Sequence, residues 1–257
     1  MKNLLKVVCL VLVLSNADAQ FKVGLRLGGH LPTAGSALPG FVQIERDGTQ
    51  KALVATLGAG VDFNALVGYN LNENIALNFD IGYLNGFKGG FYQYVDLTGS
   101  GTANRIDIDF KGTFFNITPN VIIKASEKDG KMRPFARMGV HMGSGVVTST
   151  TTIDLFQGQR VDEYSGGWTV GLIGGLGLHK QINDKLSTMF ELTVKTITTR
   201  PKQLKNLENF NGLGNDETVN FVKEVRPNAP GTDQLTFPIP FSSLGLSVGI
   251  QYLLNNQ

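Results

Sequence analysis

The feature that most constrains this chain is an alternation of apolar and polar residues with a period of two, repeated in segment after segment. From Leu57 to Tyr69 every odd-numbered residue is apolar or aromatic, and most even-numbered residues are Gly, Asp or Asn. Successive side chains of a β-strand point to opposite faces, so the pattern predicts strands with one apolar and one polar face. The segments that show it are 21–29, 57–69, 75–83, 106–123, 134–147, 168–179, 186–195 and 243–252.

The lengths of the segments and of their connections indicate how the strands are arranged. Most segments approach the roughly 9–11 residues that a tilted strand needs to cross a bilayer. The short connections are 70–74, 125–133 and 181–185, and the long ones are 29–53, 86–104, 148–166 and 199–236. Short turns at one end and long loops at the other are typical of bacterial outer-membrane proteins. We therefore predict an all-β fold: a closed antiparallel transmembrane β-barrel of about eight strands, with short periplasmic turns and long extracellular loops.

The fourth segment departs from a single phase. Its apolar residues are even-numbered at Ile106 and Phe110 but odd-numbered at Phe115 and Ile117. One extra residue in a strand moves every later side chain to the other face, so this change predicts a β-bulge near 112–114.

The N-terminal segment has the order of a secretory signal peptide. Basic residues precede an apolar run at 7–14, and small residues follow at Ala17 and Ala19. This pattern predicts export with cleavage after Ala19, which divides the chain into a signal peptide (1–19) and a barrel domain (20–257). The apolar run is too short for the roughly 20 residues of a membrane-spanning helix.

Composition excludes several kinds of site. The single cysteine, Cys9, lies in the predicted signal peptide, so the mature chain has no disulfide or thiolate metal site. The formal net charge is +2, which does not favour a nucleic-acid partner. His30, His141 and His179 lie on different segments without the spacing of a metal or nucleophile site. We therefore predict no metal, no cofactor and no catalytic residue, and we interpret the histidines as structural.

The composition of the polar faces indicates which side of the barrel meets lipid. Gly, Ser and Asn dominate them, which suits a narrow packed lumen better than a solvated exterior. A secreted lipocalin-like barrel, with its apolar face inside, has the same period and stays as the alternative.

Aromatic residues near the strand ends predict two interfacial girdles. Their members are Phe21, Tyr69 and Tyr252 at the turn end, and Tyr83, Phe110 and Trp168 at the loop end.

The polar faces also carry charged residues of both signs, which the strand phases place inside the barrel. The predicted lumen charge network consists of Lys22, Arg26, Asp62, Asp80, Asp107, Asp109, Lys111, Arg137, Glu191 and Lys195. Its five basic and five acidic members balance, so the lumen neutralises itself. Eight strands leave an interior just wide enough for side chains. We therefore interpret Arg137 and Glu191 as a buried ion pair, with the gating or binding of a small solute as the alternative.

Three segments carry a resemblance to a known family. They are Phe21–Gly29, Pro134–Gly143 and Leu244–Tyr252, and they resemble the PorT-like outer-membrane β-barrel family. The resemblance implies barrel architecture over the mature chain and a location in the bacterial outer membrane, without any particular chemistry. The chain departs from a common pattern of such proteins, because it continues past Tyr252 instead of finishing on an aromatic residue.

Loops on a rigid scaffold are where binding usually resides, so the long loops direct the functional prediction. We expect a non-enzymatic barrel in contact with outer-membrane lipid, whose loops bind another envelope protein or a surface polymer. The loop at 203–232 has the most varied surface. Its contact candidates are Phe210, Phe221, Lys223, Glu224 and Arg226. A narrow channel for small solutes and a lipid-modifying outer-membrane enzyme are the alternatives.

Overall fold

The computed structural model describes residues 20–33, 36–97, 99, 103–125, 132–153, 158–210, 218–222 and 233–254. The predicted signal peptide lies outside these residues. The strands are β1 (Gln20–Pro32), β2 (Ser36–Ile44), β3 (Gln50–Ala55), β4 (Gly60–Asn70), β5 (Ile75–Val95), β6 (Asn104–Lys124), β7 (Arg133–Ile153), β8 (Gln159–Ser165), β9 (Thr169–Gln181), β10 (Leu186–Thr196), β11 (Thr198–Thr199), β12 (Gln203–Glu208), β13 (Thr218–Val222), β14 (Asp233–Leu235), β15 (Ile239–Pro240) and β16 (Ser243–Leu254). Among the described residues, no helix has the length and apolar character needed to cross a membrane.

Eight of the strands form a closed antiparallel ring. Its order is β1, β4, β5, β6, β7, β9, β10 and β16, and β16 pairs with β1 to close it. In the closing pair Phe21 lies opposite Leu254, and Pro32 lies opposite Ser243. Closure leaves the ring without an edge, so neighbouring strands satisfy each other's backbone groups. The predicted eight-stranded barrel is confirmed.

Two strands of the ring, β5 and β7, are far longer than the sequence predicts, and β6 extends only slightly past its predicted ends. β5, β6 and β7 have 21 residues each, so most of the predicted loop 86–104 is strand. The predicted loop 148–166 is largely a hairpin of β7 and β8, and β8 pairs onward with β12. Strands β2 and β3 join the β5 side. We call this extension at the loop end of the barrel, together with β12 to β14, the upper sheet.

The predicted bulge exists, but it lies in β5. The register of β5 and β6 shifts between Asn85 and Lys88, where Gly86 and Phe87 face the single residue Gly112. In β6, even-numbered residues stay on the inner side throughout, so its parity does not change. The prediction of a bulge in β6 was wrong. The apolar residues change parity in the sequence because the inward residues of β6 are polar in the middle of the barrel and apolar at its loop end.

The interior is layered along the barrel axis. An apolar cluster at the turn end consists of Leu66, Ala76, Ile122, Phe135 and Met189. A polar layer follows at mid-barrel. A second apolar cluster at the loop end consists of Leu84, Phe91, Phe110, Phe114, Val147, Ile197, Ile239 and Phe241. Two apolar layers thus enclose the polar one.

The outward side chains of the ring form a continuous apolar belt. Leu25, Met138 and Leu246 are each about 70% exposed, and comparable residues lie on every strand of the ring. Most of the predicted girdle residues also face outward, and Phe21 packs edge-on against Tyr69. Phe110 is the exception, because it is buried in the loop-end cluster. A belt of this extent identifies a surface that water does not cover.

We predict that Leu192→Arg destabilises the folded barrel by about 2–4 kcal/mol, because Leu192 is an outward residue near the middle of β10. Denaturant unfolding in lipid vesicles measures this cost. Thr152→Arg is the matched control, since Thr152 is an exposed residue of the upper sheet, and its cost should be near zero. Equal costs for the two variants would contradict the lipid-facing assignment of the belt.

Candidate functional site

The most organised polar feature of the molecule is a closed ring of four charges across the lumen. Arg26 lies on β1, Asp80 on β5, Arg137 on β7 and Glu191 on β10. All four are buried, with side-chain exposures of 4%, 1%, 1% and 0% respectively. We call this set the charge ring.

Each carboxylate of the charge ring bridges both guanidinium groups. Asp80 Oδ2 accepts from Arg26 Nη2 at 2.7 Å and from Arg137 Nη1 at 2.9 Å. Glu191 Oε1 accepts from Arg137 Nε at 2.6 Å, and its Oε2 accepts from Arg26 Nη1 at 3.3 Å. Charge-assisted hydrogen bonds in a dry interior are strong, and these connect opposite walls of the barrel. The ring has no net charge.

A second polar group lies on the loop side of the charge ring. Lys195 Nζ donates to Asp62 Oδ2 at 2.5 Å, and His30 Nε2 lies 3.0 Å from the same oxygen. The Nδ1 atom of His30 lies 3.3 Å from Ser243 Oγ. Farther round the wall, His141 Nδ1 is 2.8 Å from Thr118 Oγ1. These residues come from β1, β4, β6, β7, β10 and β16, so six of the eight strands of the ring contribute to this level of the lumen.

Inward glycines make the space for these side chains. A Cβ atom at Gly175 would collide with the Glu191 carboxylate, and one at Gly28 would collide with Asp62. A Cβ at Gly245 would similarly meet the His30 ring. The glycine-rich polar faces seen in the sequence therefore complement the large polar side chains that fill a narrow bore.

Seven of the ten predicted lumen charges are buried in the lumen: Lys22, Arg26, Asp62, Asp80, Arg137, Glu191 and Lys195. The other three, Asp107, Asp109 and Lys111, lie on the outer face of the upper sheet, so their assignment to the lumen was wrong. Asp109 pairs there with Lys88 at 2.7 Å, and Asp107 pairs with Arg105 at 2.7 Å. The apolar residues between them in sequence, such as Phe110, face inward and force the charges outward.

A segment that the sequence pattern did not single out closes the loop end of the barrel. Residues 236–242, which we call the strap, place the Phe241 ring against Phe114, with ring centroids 5.3 Å apart. Gly112 and Gly145 leave room for this ring, since a Cβ at either position would press against it. Backbone hydrogen bonds hold the strap: Phe241 N donates to Ile197 O at 2.9 Å, Leu57 N donates to Pro240 O at 2.8 Å, and Thr236 N donates to Val222 O at 3.0 Å. Strand β15 of the strap also pairs with β11. Phe241 therefore seals the mouth.

The upper sheet has a core of its own. Tyr164, Phe221 and Phe237 contact one another, with ring centroids 5.5 to 6.2 Å apart. Burial raises the pKa of the Tyr164 hydroxyl to about 12. Phe221 is therefore a core residue, and its selection as an exposed contact candidate was wrong. Phe210 is half-buried, whereas Lys223, Glu224 and Arg226 lie outside the described residues.

The outer face of the upper sheet carries a connected row of polar and aromatic side chains. Lys51 Nζ donates to Glu45 Oε1 at 3.1 Å, and Tyr92 donates its hydroxyl to Glu45 Oε2 at 3.2 Å. The hydrogen bond from Lys51 holds the pKa of the Glu45 carboxyl below its ordinary value. The Arg105 guanidinium lies 5.2 Å from the Tyr92 ring centroid, and Tyr94 packs edge-on against Tyr92. We call Glu45, Lys51, Tyr92, Tyr94 and Arg105 the outer row.

The geometry offers little for a catalytic or metal site. Within the described part of the chain, no three His, Cys, Asp or Glu side chains are grouped as metal ligands. His30 and His141 are buried in the lumen, and His179 is half-buried near the turn end. The histidines lie where their strand phases predict.

Ring closure, an apolar outer belt and a packed polar lumen together define a transmembrane β-barrel. No protein-family model matches the sequence, and no curated protein matches it either, so the PorT-like resemblance stays a prediction.

Several solved structures are similar to this chain at low values. Neisserial surface protein A is 10% identical with a TM-score of 0.44, over 92% of this chain and 99% of that one. A major outer membrane protein from Thermus thermophilus is 15% identical with a TM-score of 0.48, over 91% and 99%. OprG from Pseudomonas aeruginosa is 13% identical with a TM-score of 0.44, over 93% and 97%. At these values the likenesses assign neither a family nor a role.

We predict that Arg137→Met destabilises the barrel by about 3–5 kcal/mol, because it leaves buried carboxylates short of a partner. Adding Glu191→Gln should recover part of this loss, since the second change removes one of those charges. Equilibrium unfolding of the single and double variants measures the difference. Lys88→Ala, which breaks an exposed ion pair, is the control and should cost less than about 1 kcal/mol.

Proposed function

We propose that this protein is a non-enzymatic barrel of the bacterial outer membrane that presents the upper sheet to a partner outside the cell. The partner is another envelope protein or a surface polymer, and outer-membrane lipid surrounds the belt. One observation carries the proposal: the loop-end extensions form a sheet with its own aromatic core, held on a barrel whose lumen is filled. A rigid platform of this kind is suited to binding.

The location follows from the physics of the belt. An apolar outer surface around a closed barrel is stable only in hydrocarbon, and barrels of this kind span outer membranes. The predicted signal peptide supplies the export that such a location requires. In this arrangement the termini of the barrel and the short turns face the periplasm, and the upper sheet faces outward.

The outer row is the surface that we assign to binding. Tyr and Arg are among the residues enriched at the energetic centres of protein interfaces, and Tyr92, Tyr94 and Arg105 lie together on one face. Contacts among Glu45, Lys51, Tyr92 and Arg105 hold these side chains in place before a partner arrives. Such preorganisation lowers the entropic cost of association.

We predict that an engineered cysteine at Thr152 reacts with a membrane-impermeant maleimide on intact cells, because Thr152 is exposed on the upper sheet. A cysteine at Lys185, in the turn between β9 and β10, should react only after the outer membrane is permeabilised. The only native cysteine, Cys9, leaves with the predicted signal peptide, so each variant carries one thiol. Labelling in the reverse order would invert the proposed orientation.

We predict that the double variant Tyr92→Ala, Arg105→Ala weakens binding to isolated outer-envelope protein or polysaccharide fractions by about tenfold or more, as loss of interface anchors does. Titration of each fraction against the purified barrel measures the affinity. Lys180→Ala, Lys185→Ala is the matched control on the turn side and should bind like the wild type.

Equal binding by both double variants would remove the outer row from the proposal.

Planar-bilayer recordings distinguish the channel alternative from the binding proposal. A large steady conductance that a bulky lumen residue abolishes would favour a narrow channel, since the charge ring and the Phe241 ring lie across the lumen.

A further inference from the structure

The outer belt contains a wide depression on one side of the barrel. It crosses β16, β1, β4, β5 and β6, has a volume of about 1120 Å³ and is lined almost entirely by apolar atoms. Ala65 is the small outward residue at its centre, with Leu25 opposite on β1 and Ile81 opposite on β5. Larger outward side chains, among them Phe63 and Tyr83, stand around it. We call this depression the belt groove.

The dimensions of the belt groove fit the hydrocarbon chains of one membrane leaflet. Its volume exceeds the roughly 300–1,000 Å³ of pockets that hold compact small molecules. From Val23 to Leu27 it spans about 13 Å along β1, close to half of the roughly 30 Å hydrocarbon core of a bilayer. Val23 lies near the turn end, opposite Tyr252. The groove therefore runs from the turn-side interface to about the middle of the bilayer.

A polar pocket of about 430 Å³ adjoins the turn end of the belt groove, and Tyr252 borders both. The lining of the polar pocket consists of Asn183, Asp184, Lys185, Leu186 and Tyr252. Asn183 Oδ1 accepts from the backbone N–H groups of Lys185 and Leu186 at 3.0 and 2.8 Å. Leu253 N donates to Lys185 O at 2.7 Å, which ties the turn to β16. The pocket is therefore formed by a turn that its own hydrogen bonds hold in place.

The polar pocket offers one charge of each sign. Asp184 and Lys185 are exposed, and neither forms an ion pair with another described residue. An ethanolamine phospholipid carries an anionic phosphate and a cationic ammonium, so Lys185 can bind the phosphate and Asp184 the ammonium. Tyr252 belongs to the turn-end girdle, where an amphipathic ring lies between headgroups and hydrocarbon. Headgroup chemistry thus meets the open end of an apolar groove.

We propose that the belt groove and the polar pocket together bind one glycerophospholipid with an ethanolamine headgroup, taken from the turn-side leaflet. The inference rests on the proposed location of the belt in the outer membrane, and it is independent of what the upper sheet binds. A second copy of this chain fits the groove less well than lipid chains do. A two-fold interface must be complementary to itself, whereas two grooves that face each other would leave a void.

Native mass spectrometry of the purified mature barrel, released from micelles that contain palmitoyl-oleoyl phosphatidylethanolamine, tests the groove. We expect one lipid to stay bound to the wild type. Ala65→Trp fills the centre of the groove and should lower the affinity for this lipid by about tenfold or more, as the loss of about two buried methylene contacts does. Ala136→Trp is the matched control and should bind the lipid like the wild type, because Ala136 is an outward residue of β7 that lies outside the groove lining.

Competition between phosphatidylethanolamine and phosphatidylglycerol with the same chains tests the polar pocket. The wild type should retain the ethanolamine lipid in preference, and Asp184→Lys should reverse this preference, because a second cation favours an anionic headgroup.

Equal retention of the two lipids by the wild type would overturn the proposal, and this measurement does not depend on any variant folding. Undiminished binding to Ala65→Trp, or an unchanged preference in Asp184→Lys, would overturn it as well. Recovery of the protein outside the membrane fraction would instead overturn the proposed location, so the two failures are distinct.

Discussion

The width of the bore is the constraint on which the rest of the structure depends. A ring of eight strands encloses room for side chains and little else, and lipid outside cannot satisfy a backbone group that an opened ring would expose. Large inward side chains must therefore alternate with small ones. The charge ring takes its four members from alternate strands of the barrel, and inward glycines such as Gly175 stand beside them. Glycine therefore serves packing in this barrel, and the chain contains many glycines because the lumen is narrow.

The same narrowness determines what the buried charges do. Each carboxylate of the charge ring spans two guanidinium groups, so the four side chains brace the barrel across its diameter. Their hydrogen-bonding capacity is used largely on one another, which favours a structural role over contact with a substrate. Lys22 differs, because its ammonium group makes no hydrogen bond among the described residues. One oxygen each of Asp62 and Asp80 is also without a hydrogen-bond partner there, so the lumen is not fully paired.

Much of the barrel could be predicted from the sequence, because period two relates every residue of a strand to one of two faces. The strand phases placed Arg26, Asp80, Arg137 and Glu191 inside, and the structure has them there. They misplaced Asp107 and its neighbours because the apolar side of an alternating strand can face either lipid or an inner core. Below the bulge, apolar residues of β6 face lipid, whereas above it Ile106 and Phe110 face an inner core. Alternation within one strand has the same form in both cases.

The strap shows why the loop end of the barrel could not be predicted from alternation within single strands. Its contacts are distant in sequence: Thr56 Oγ1 donates to the carbonyls of Pro240 and Ser242, 184 and 186 residues away. Phe237 and Phe241 supply the apolar surface against which the inner faces of β5 to β8 pack. Without it, strands that rise above the belt would expose an apolar inner face to water. The strap therefore does two things at once: it covers the apolar inner faces of the strands that form the upper sheet, and it fills the loop end of the barrel. An upper sheet of this height thus requires a barrel that is closed at its loop end.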